Sequence, residues 1–252
     1  MRPAKTKLIR RWTMRSAKST ARTIGVLLLL QMACGLVVPF VLWHPLIAGS
    51  PAFLTAAAAS SFQIRAGVFL SFVGGALTVA IAITAWSIIR RYSETIALWF
   101  LVVCAISCTL DAMQNAAVMS MLSVSQEYAK AGTADATLIT GVGTLVATTR
   151  RWVHYTQLLG FGAWIFLFYL SLLRFDLVPR TLAILGLIGI LLQFTGVTLL
   201  AFLGYSSVTQ LAMPLAPIHI ANGLWLIVKG FKEPHLPPPP KLGSQPNAES
   251  LR

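Results

Sequence analysis

Asp111 is a carboxylate inside an apolar run of helix length, Ile96 to Met121, with Gln114 and Asn115 beside it. In hydrocarbon a charged side chain costs roughly 2.5 to 3.5 kcal/mol on insertion scales, so an acid placed there implies a partner or a task. On a helix, Cys104, Cys108, Asp111, Asn115 and Met119 recur at steps of three and four. They share one face, which must look into protein rather than lipid. Other apolar runs carry polar side chains of their own: Gln31, Gln193, and His219 with Asn222. Counting about 1.5 Å per residue from the outer end of each run puts Asp111, Gln193 and His219 roughly 12 to 15 Å deep, near the midplane of a ~30 Å core. The expectation is a polar layer of Gln31, Asp111, Gln114, Asn115, Gln193, His219 and Asn222 inside a helical bundle, where such groups satisfy one another as lipid cannot. That layer is either hydrogen-bonding that joins helices or a site for a ligand, an ion or a proton. Asp111 and His219 are titratable groups of different spans at that level, and are expected to be coupled.

Other chemistries are poorly supplied. Cys104, Cys108, Asp111 and His219 can be written as a soft metal set, but no CxxC or HxxxH spacing supports it, and no metal is expected. No G-x-S-x-G elbow precedes a helix, and no second carboxylate sits in a span to complete an acid and base pair, so no catalytic residue is assigned. Walker and dinucleotide glycine patterns are absent, and no cofactor is expected. At the outer mouth of the fourth apolar run, His154 lies with Tyr155 and Gln157 beside Arg150 and Arg151. With Arg65 these can form a cationic entrance for an anionic ligand.

The elements that must hold these residues follow from composition. The 252 residues are 56% hydrophobic and 11% charged, with a mean hydropathy of +0.75, too apolar for a soluble domain. Six spans are expected: Ile24 to Trp43, Ala66 to Ile89, Ile96 to Met121, Trp152 to Leu173, Thr181 to Leu203 and Leu211 to Val228. The fold class is all-α integral membrane, with one further external amphipathic helix between spans three and four. Ala134 to Thr149 is too rich in Thr and Gly to span alone. The domain division is a basic segment 1–22, a membrane domain 23–231 and a Pro-rich disordered tail 232–252. Span six opens with Pro214 and Pro217, which loosen its outer third. In span five, Gly186, Gly189 and Gly196 recur with Gln193 as a small-residue face for close helix approach.

A net charge of +13 would suggest nucleic acid in a soluble protein. Here all but Arg65, Lys130, Arg150 and Arg151 of the 20 Lys and Arg fall in segments that share one side of a six-span topology. That is the positive-inside pattern, placing both termini in the cytoplasm and excluding nucleic acid as the reason for the charge. Met1 to Arg22 holds eight of these cations and no acid, and suits anionic lipid head groups at the bilayer surface. It is expected to be a topogenic tail without structure of its own, because no long amphipathic stripe runs through it. The three cysteines, Cys34, Cys104 and Cys108, lie in apolar runs and are expected to be free thiols.

Three stretches carry a family resemblance: Gln126 to Gly132 (QEYAKAG), Leu177 to Arg180 (LVPR) with the LAILGLIG that follows, and Leu224 to Phe231 (LWLIVKGF). In this order, and over about Arg22 to Phe231, the chain resembles the bacterial membrane family of domain of unknown function 4386. The resemblance implies six spans in an inner membrane and no particular activity. Where that family tends to carry an acid in the last span this chain has His219, and where it has an early charged pair in span three this chain has Cys104 and Ser107.

The expected function is binding of a small molecule or ion in an outward-facing polar pocket, in a sensor or accessory role without covalent catalysis. A secondary transporter or proton-coupled carrier, using Asp111 and His219, is the alternative, and a membrane-embedded enzyme is a third.

Overall fold

A computed structural model describes residues 3–47, 51–131 and 136–232, with side chains from Ala17 onward. Among the described residues the regular structure is helical throughout. Helix α1 (Pro3–Val37) runs into a π-helical turn (Val38–Leu42). Two short helices follow, α2 (His44–Ile47) and α3 (Phe53–Ala59), and then α4 (Ser61–Ile89), α5 (Glu94–Lys130) and α6 (Ala136–Arg174). Helix α7 (Arg180–Gln193) passes through a π-helical segment (Phe194–Leu199) into α8 (Leu200–Phe202). A 3-10 turn (Thr209–Ala212) leads to α9 (Leu215–Val228).

Six helical stretches are long and apolar enough to cross a bilayer, and they coincide with the six spans expected from the sequence. Only 22% to 44% of each apolar window is buried within the protein, so most of that surface needs an apolar solvent. Leu30, Phe69, Ile83, Trp99, Ile106 and Leu191 form part of this exposed apolar perimeter.

The long helices form a closed ring in chain order. Helix α1 packs on α4, α4 on α5, α5 on α6, α6 on α7, α7 on α9, and α9 returns to α1. The closure is a close backbone approach, because a Cβ on Gly25 would fall 2.6 Å from the carbonyl oxygen of Gly223. The interior is filled by two apolar clusters. One, nearer the end that carries Arg90, Arg91, Arg174 and Arg180, is built on Ile24, Leu28, Phe100, Trp164, Phe168 and Leu226. The other, at the opposite end, gathers Trp43, Phe53, Leu54, Ile64, Val118 and Leu122. Helix α3 is tied there by Ser125 Oγ donating to the Leu54 carbonyl at 2.6 Å.

Two expectations change. The separate amphipathic helix between spans three and four is not formed, since α6 is one helix of 39 residues that includes Thr149 to Trp152. No proline interrupts Ala136 to Arg174, and the glycines there are tolerated at modest cost within a helix that packs on both sides. The basic N-terminal segment is not without structure either. Helix α1 begins at Pro3, a residue suited to a first helical position. Ala17 and Ala21 are buried, and Arg22 Nε donates to the Ile227 carbonyl at 3.1 Å. The Pro-rich stretch Pro234 to Pro240 lies outside the described residues.

The glycine face of α7 does receive close neighbours: Tyr169 of α6 at Gly186, Leu215 of α9 at Gly189, and Leu211 at Gly196. Pro214 caps α9 and Pro217 lies in its first turn, so the sixth span is broken there into a 3-10 turn and a helix. Cys34, Cys104 and Cys108 are free.

Candidate functional site

Two glycines bring Asp111 to its partners. On α6, Gly160 lets the α5 backbone come close, since a Cβ there would lie 3.2 Å from Ser107 Cα. On α4, Gly75 leaves room for the carboxylate, because its missing Cβ would stand 3.4 Å from Asp111 Oδ2. The other carboxylate oxygen, Oδ1, accepts a hydrogen bond from Gln157 Nε2 at 2.7 Å. Gln157 Oε1 is in turn 3.2 Å from His154 Nδ1, which extends the chain of hydrogen bonds one helical turn along α6. Arg150, His154 and Gln157 are spaced by four and three residues, which aligns them on one face of that helix.

One turn further along α5 stand Gln114 and Asn115, 0% and 2% exposed. None of their four side-chain N and O atoms has a hydrogen-bond partner. Arg150 Nε is likewise buried and without one. Among the described residues the ion pairs are those of Glu127 with Lys130 and of Asp176 with Arg180 and Lys232, so Asp111 and Arg150 have no opposite charge in contact. This end of the bundle thus holds a carboxylate, three amides, an imidazole and a guanidinium, several of them with unused bonding capacity.

A second polar group lies nearer the other end. His219, 2% exposed, has Nδ1 2.9 Å from the Tyr169 hydroxyl, and its ring meets Trp164 edge-on with centroids 6.2 Å apart. His219 Nε2, Trp164 Nε1 and Asn222 Oδ1 have no partner, while Asn222 Nδ2 donates to the Ile218 carbonyl at 3.0 Å. Between the two groups is Gln193, whose Nε2 reaches Thr198 Oγ1 at 3.5 Å.

The polar layer expected at one depth therefore separates into levels. Helix α6 is the ruler: Asp111 is at Gln157 and His219 at Tyr169, twelve residues and about 18 Å further along the axis. The expected Asp111–His219 pair is not formed, and each residue has its own partner on α6. The depth count failed because it set the outer ends of the spans level, whereas α5 and α6 run outward well past the outer ends of the last two spans. His154 stands within the helix rather than at its start, since α6 extends beyond it to Ala136, and it joins the Asp111 group through Gln157.

Of the other candidates, Gln31 is buried on α1, one turn from Cys34, which abuts Gly74. Arg65 and Arg151 are exposed and do not join the Asp111 group. Tyr169 and Trp164 are not among the residues expected from the sequence, which names Gln157 and Arg150 only as neighbours of His154 at an entrance and not as partners of Asp111. The spacing of Arg150, His154 and Gln157 is a signal for Gln157 and Arg150, whereas a Tyr or Trp in an apolar run gives none.

No curated protein and no solved structure matches this chain. A family model described as Domain of unknown function (DUF4386) matches residues 23–230. That interval takes in the last five spans, the first from Thr23 onward and every side chain of both polar groups, and agrees with the resemblance carried by the QEYAKAG, LVPR and LWLIVKGF stretches. The chain belongs to the family described as Domain of unknown function (DUF4386), and its six apolar helices suggest a multi-pass membrane protein.

Proposed function

We propose that this protein binds a small polar solute between α4, α5 and α6, in a pocket that faces away from the cytoplasm, as a sensor or accessory component of the membrane. The supporting observation is the pair Gln114 and Asn115, adjacent, buried and wholly without hydrogen bonds. A buried amide left unpaired costs about 1 to 3 kcal/mol, and two side by side are best understood as awaiting donors and acceptors from a bound molecule. Around them, Asp111 offers acceptors and Arg150 a cation, so the matching solute is small and carries both donors and acceptors. The outward orientation rests on the distribution of Lys and Arg, with the solute pocket at the end opposite the Arg90 and Arg174 loops. The carrier reading loses its main support, since Asp111 and His219 lie at different levels.

The test is thermal unfolding of the protein in detergent against a panel of amino acids, small carboxylates and monovalent ions. A true ligand at a hundred times its Kd should stabilise the native state by about 2.7 kcal/mol. Gln114→Leu and Asn115→Leu should abolish that shift while leaving the solute-free protein as stable or more so, because each removes an orphaned amide. If no solute in the panel raises the transition, or if either variant is clearly less stable than the parent, the reading is wrong.

A further inference from the structure

The face of α6 that looks into the ring carries Arg150, His154, Gln157, Trp164 and Phe168 in steps of three, four and seven residues. Toward the Arg174 end that face is sealed, with Trp164 0% and Phe168 2% exposed, whereas Arg150, His154 and Gln157 each keep part of their surface open. Helix α5 matches it. Phe100, Cys104 and Ser107 are buried, and Asp111, the next residue on that face, is half-buried. The four polar residues thus stand where the interior of the ring ceases to be closed, with accessible surface of their own.

Gln157 sets the polarity of this group. A carboxylate only accepts, so Gln157 turns Nε2 to Asp111 and Oε1 to His154. His154 Nδ1 is then the donor of its bond, and Nε2 of the neutral ring is left as an acceptor. Acceptors therefore mark the inner end of the group. Arg150, seven residues from Gln157 and so about 10 Å outward along the axis, carries only donors. Neither Asp111 nor Arg150 has an opposite charge in contact among the described residues, and Glu127, the other described acid at that end of α5, is paired with Lys130 at 2.8 Å.

We infer that the solute is a zwitterion of the amino-acid type, with its ammonium at Asp111 and its carboxylate at Arg150, which rests on the solute-binding reading above and gives that solute a chemical class. A single ion cannot touch both charges across two helical turns. An anion at Arg150 is repelled by Asp111, and a cation at Asp111 by Arg150, whereas a molecule with one charge of each sign gains at both ends. The donors of the ammonium matter as well as its charge, because Asp111 and His154 Nε2 both accept. Methylating that nitrogen fully keeps the charge and removes the donors, and so weakens binding.

The experiment is thermal unfolding of the full chain in detergent with each proteinogenic amino acid, the amine that lacks its carboxylate, the acid that lacks its amine, and its N-trimethyl form. At least one amino acid should raise the transition, and its three counterparts should bind about ten- to a hundredfold more weakly, as the loss of one charged contact requires. Arg150→Gln should abolish the preference for the amino acid over the amine, and Asp111→Asn the preference over the acid. Arg150→Lys keeps the cation and should keep the preference. An exchange of selectivity cannot come from misfolding, so the variants remain informative even where their stability changes. A carboxylate or monovalent cation that stabilises the protein as well as any amino acid, or a selectivity unmoved by both charge-removing variants, would overturn the zwitterion while leaving a solute site in place. If no solute of any class raises the transition, the solute reading falls and the zwitterion with it.

Discussion

Asp111 accepts one hydrogen bond from Gln157 and rests against Gly75, while His219 has Tyr169 and Trp164 about it, and these neighbours fix how substitutions should combine. Asp111→Asn keeps the shape of the side chain, and Gln157→Leu removes the donor. A double-mutant cycle on this pair, read by thermal unfolding in detergent, should give a coupling of about 0.6 to 1.7 kcal/mol, the range of hydrogen bonds between membrane helices. The same cycle on Asp111→Asn with His219→Ala should be additive within about 0.5 kcal/mol, as for sites with no shared partner. Strong coupling in the second cycle would contradict the separation of the two groups along α6. Residue types alone named Asp111, Gln114, Asn115 and His219 as buried polar groups. Their partners were out of reach, because a helix face specifies what looks inward but not which residue of another helix it meets.

Glycines decide how close the helices come, and the structure assigns them unequal weight. A methyl on Gly186 would overlap the Tyr169 ring, and one on Gly25 would press on the Gly223 carbonyl and on Ile227. Gly186→Ala and Gly25→Ala should each cost about 1 to 3 kcal/mol, as overpacked sites do. Gly35 has nothing within 4 Å of its missing Cβ, so Gly35→Ala should be neutral or stabilise by about 0.5 to 1 kcal/mol through the helix backbone. Urea or thermal melts of the three variants provide the check, and equal effects would mean that these contacts are not what holds the seams. The repeat of glycines on span five was readable as an approach surface. That three different elements use it, one at each glycine, was not, since spacing is blind to what arrives from elsewhere in the chain.

For the whole molecule, the six helices close a ring in sequence order, and every neighbouring pair runs antiparallel. The positive-inside rule applied to its Lys and Arg predicts which way the ring faces. A reporter that works only outside the cytoplasm should be active when fused after Thr55 or Lys130 and silent after Ser93. The opposite pattern would invert the molecule and turn the Asp111 pocket toward the cytoplasm.

Sequence by itself determined the number of the spans and the apolar run at the centre of each, because hydrocarbon demands long apolar helices with satisfied backbones and that demand is written locally. It also determined that the acid in span three looks into protein, since the alternative is a charge in lipid. Tertiary structure alone decided where the helices stop. Helix α6 continues outward past Trp152 to Ala136 alongside α5, with Leu54 of α3 filling the space a side chain would take at Gly143. From that length follows the vertical register of every residue, and with it the separation of Asp111 from His219.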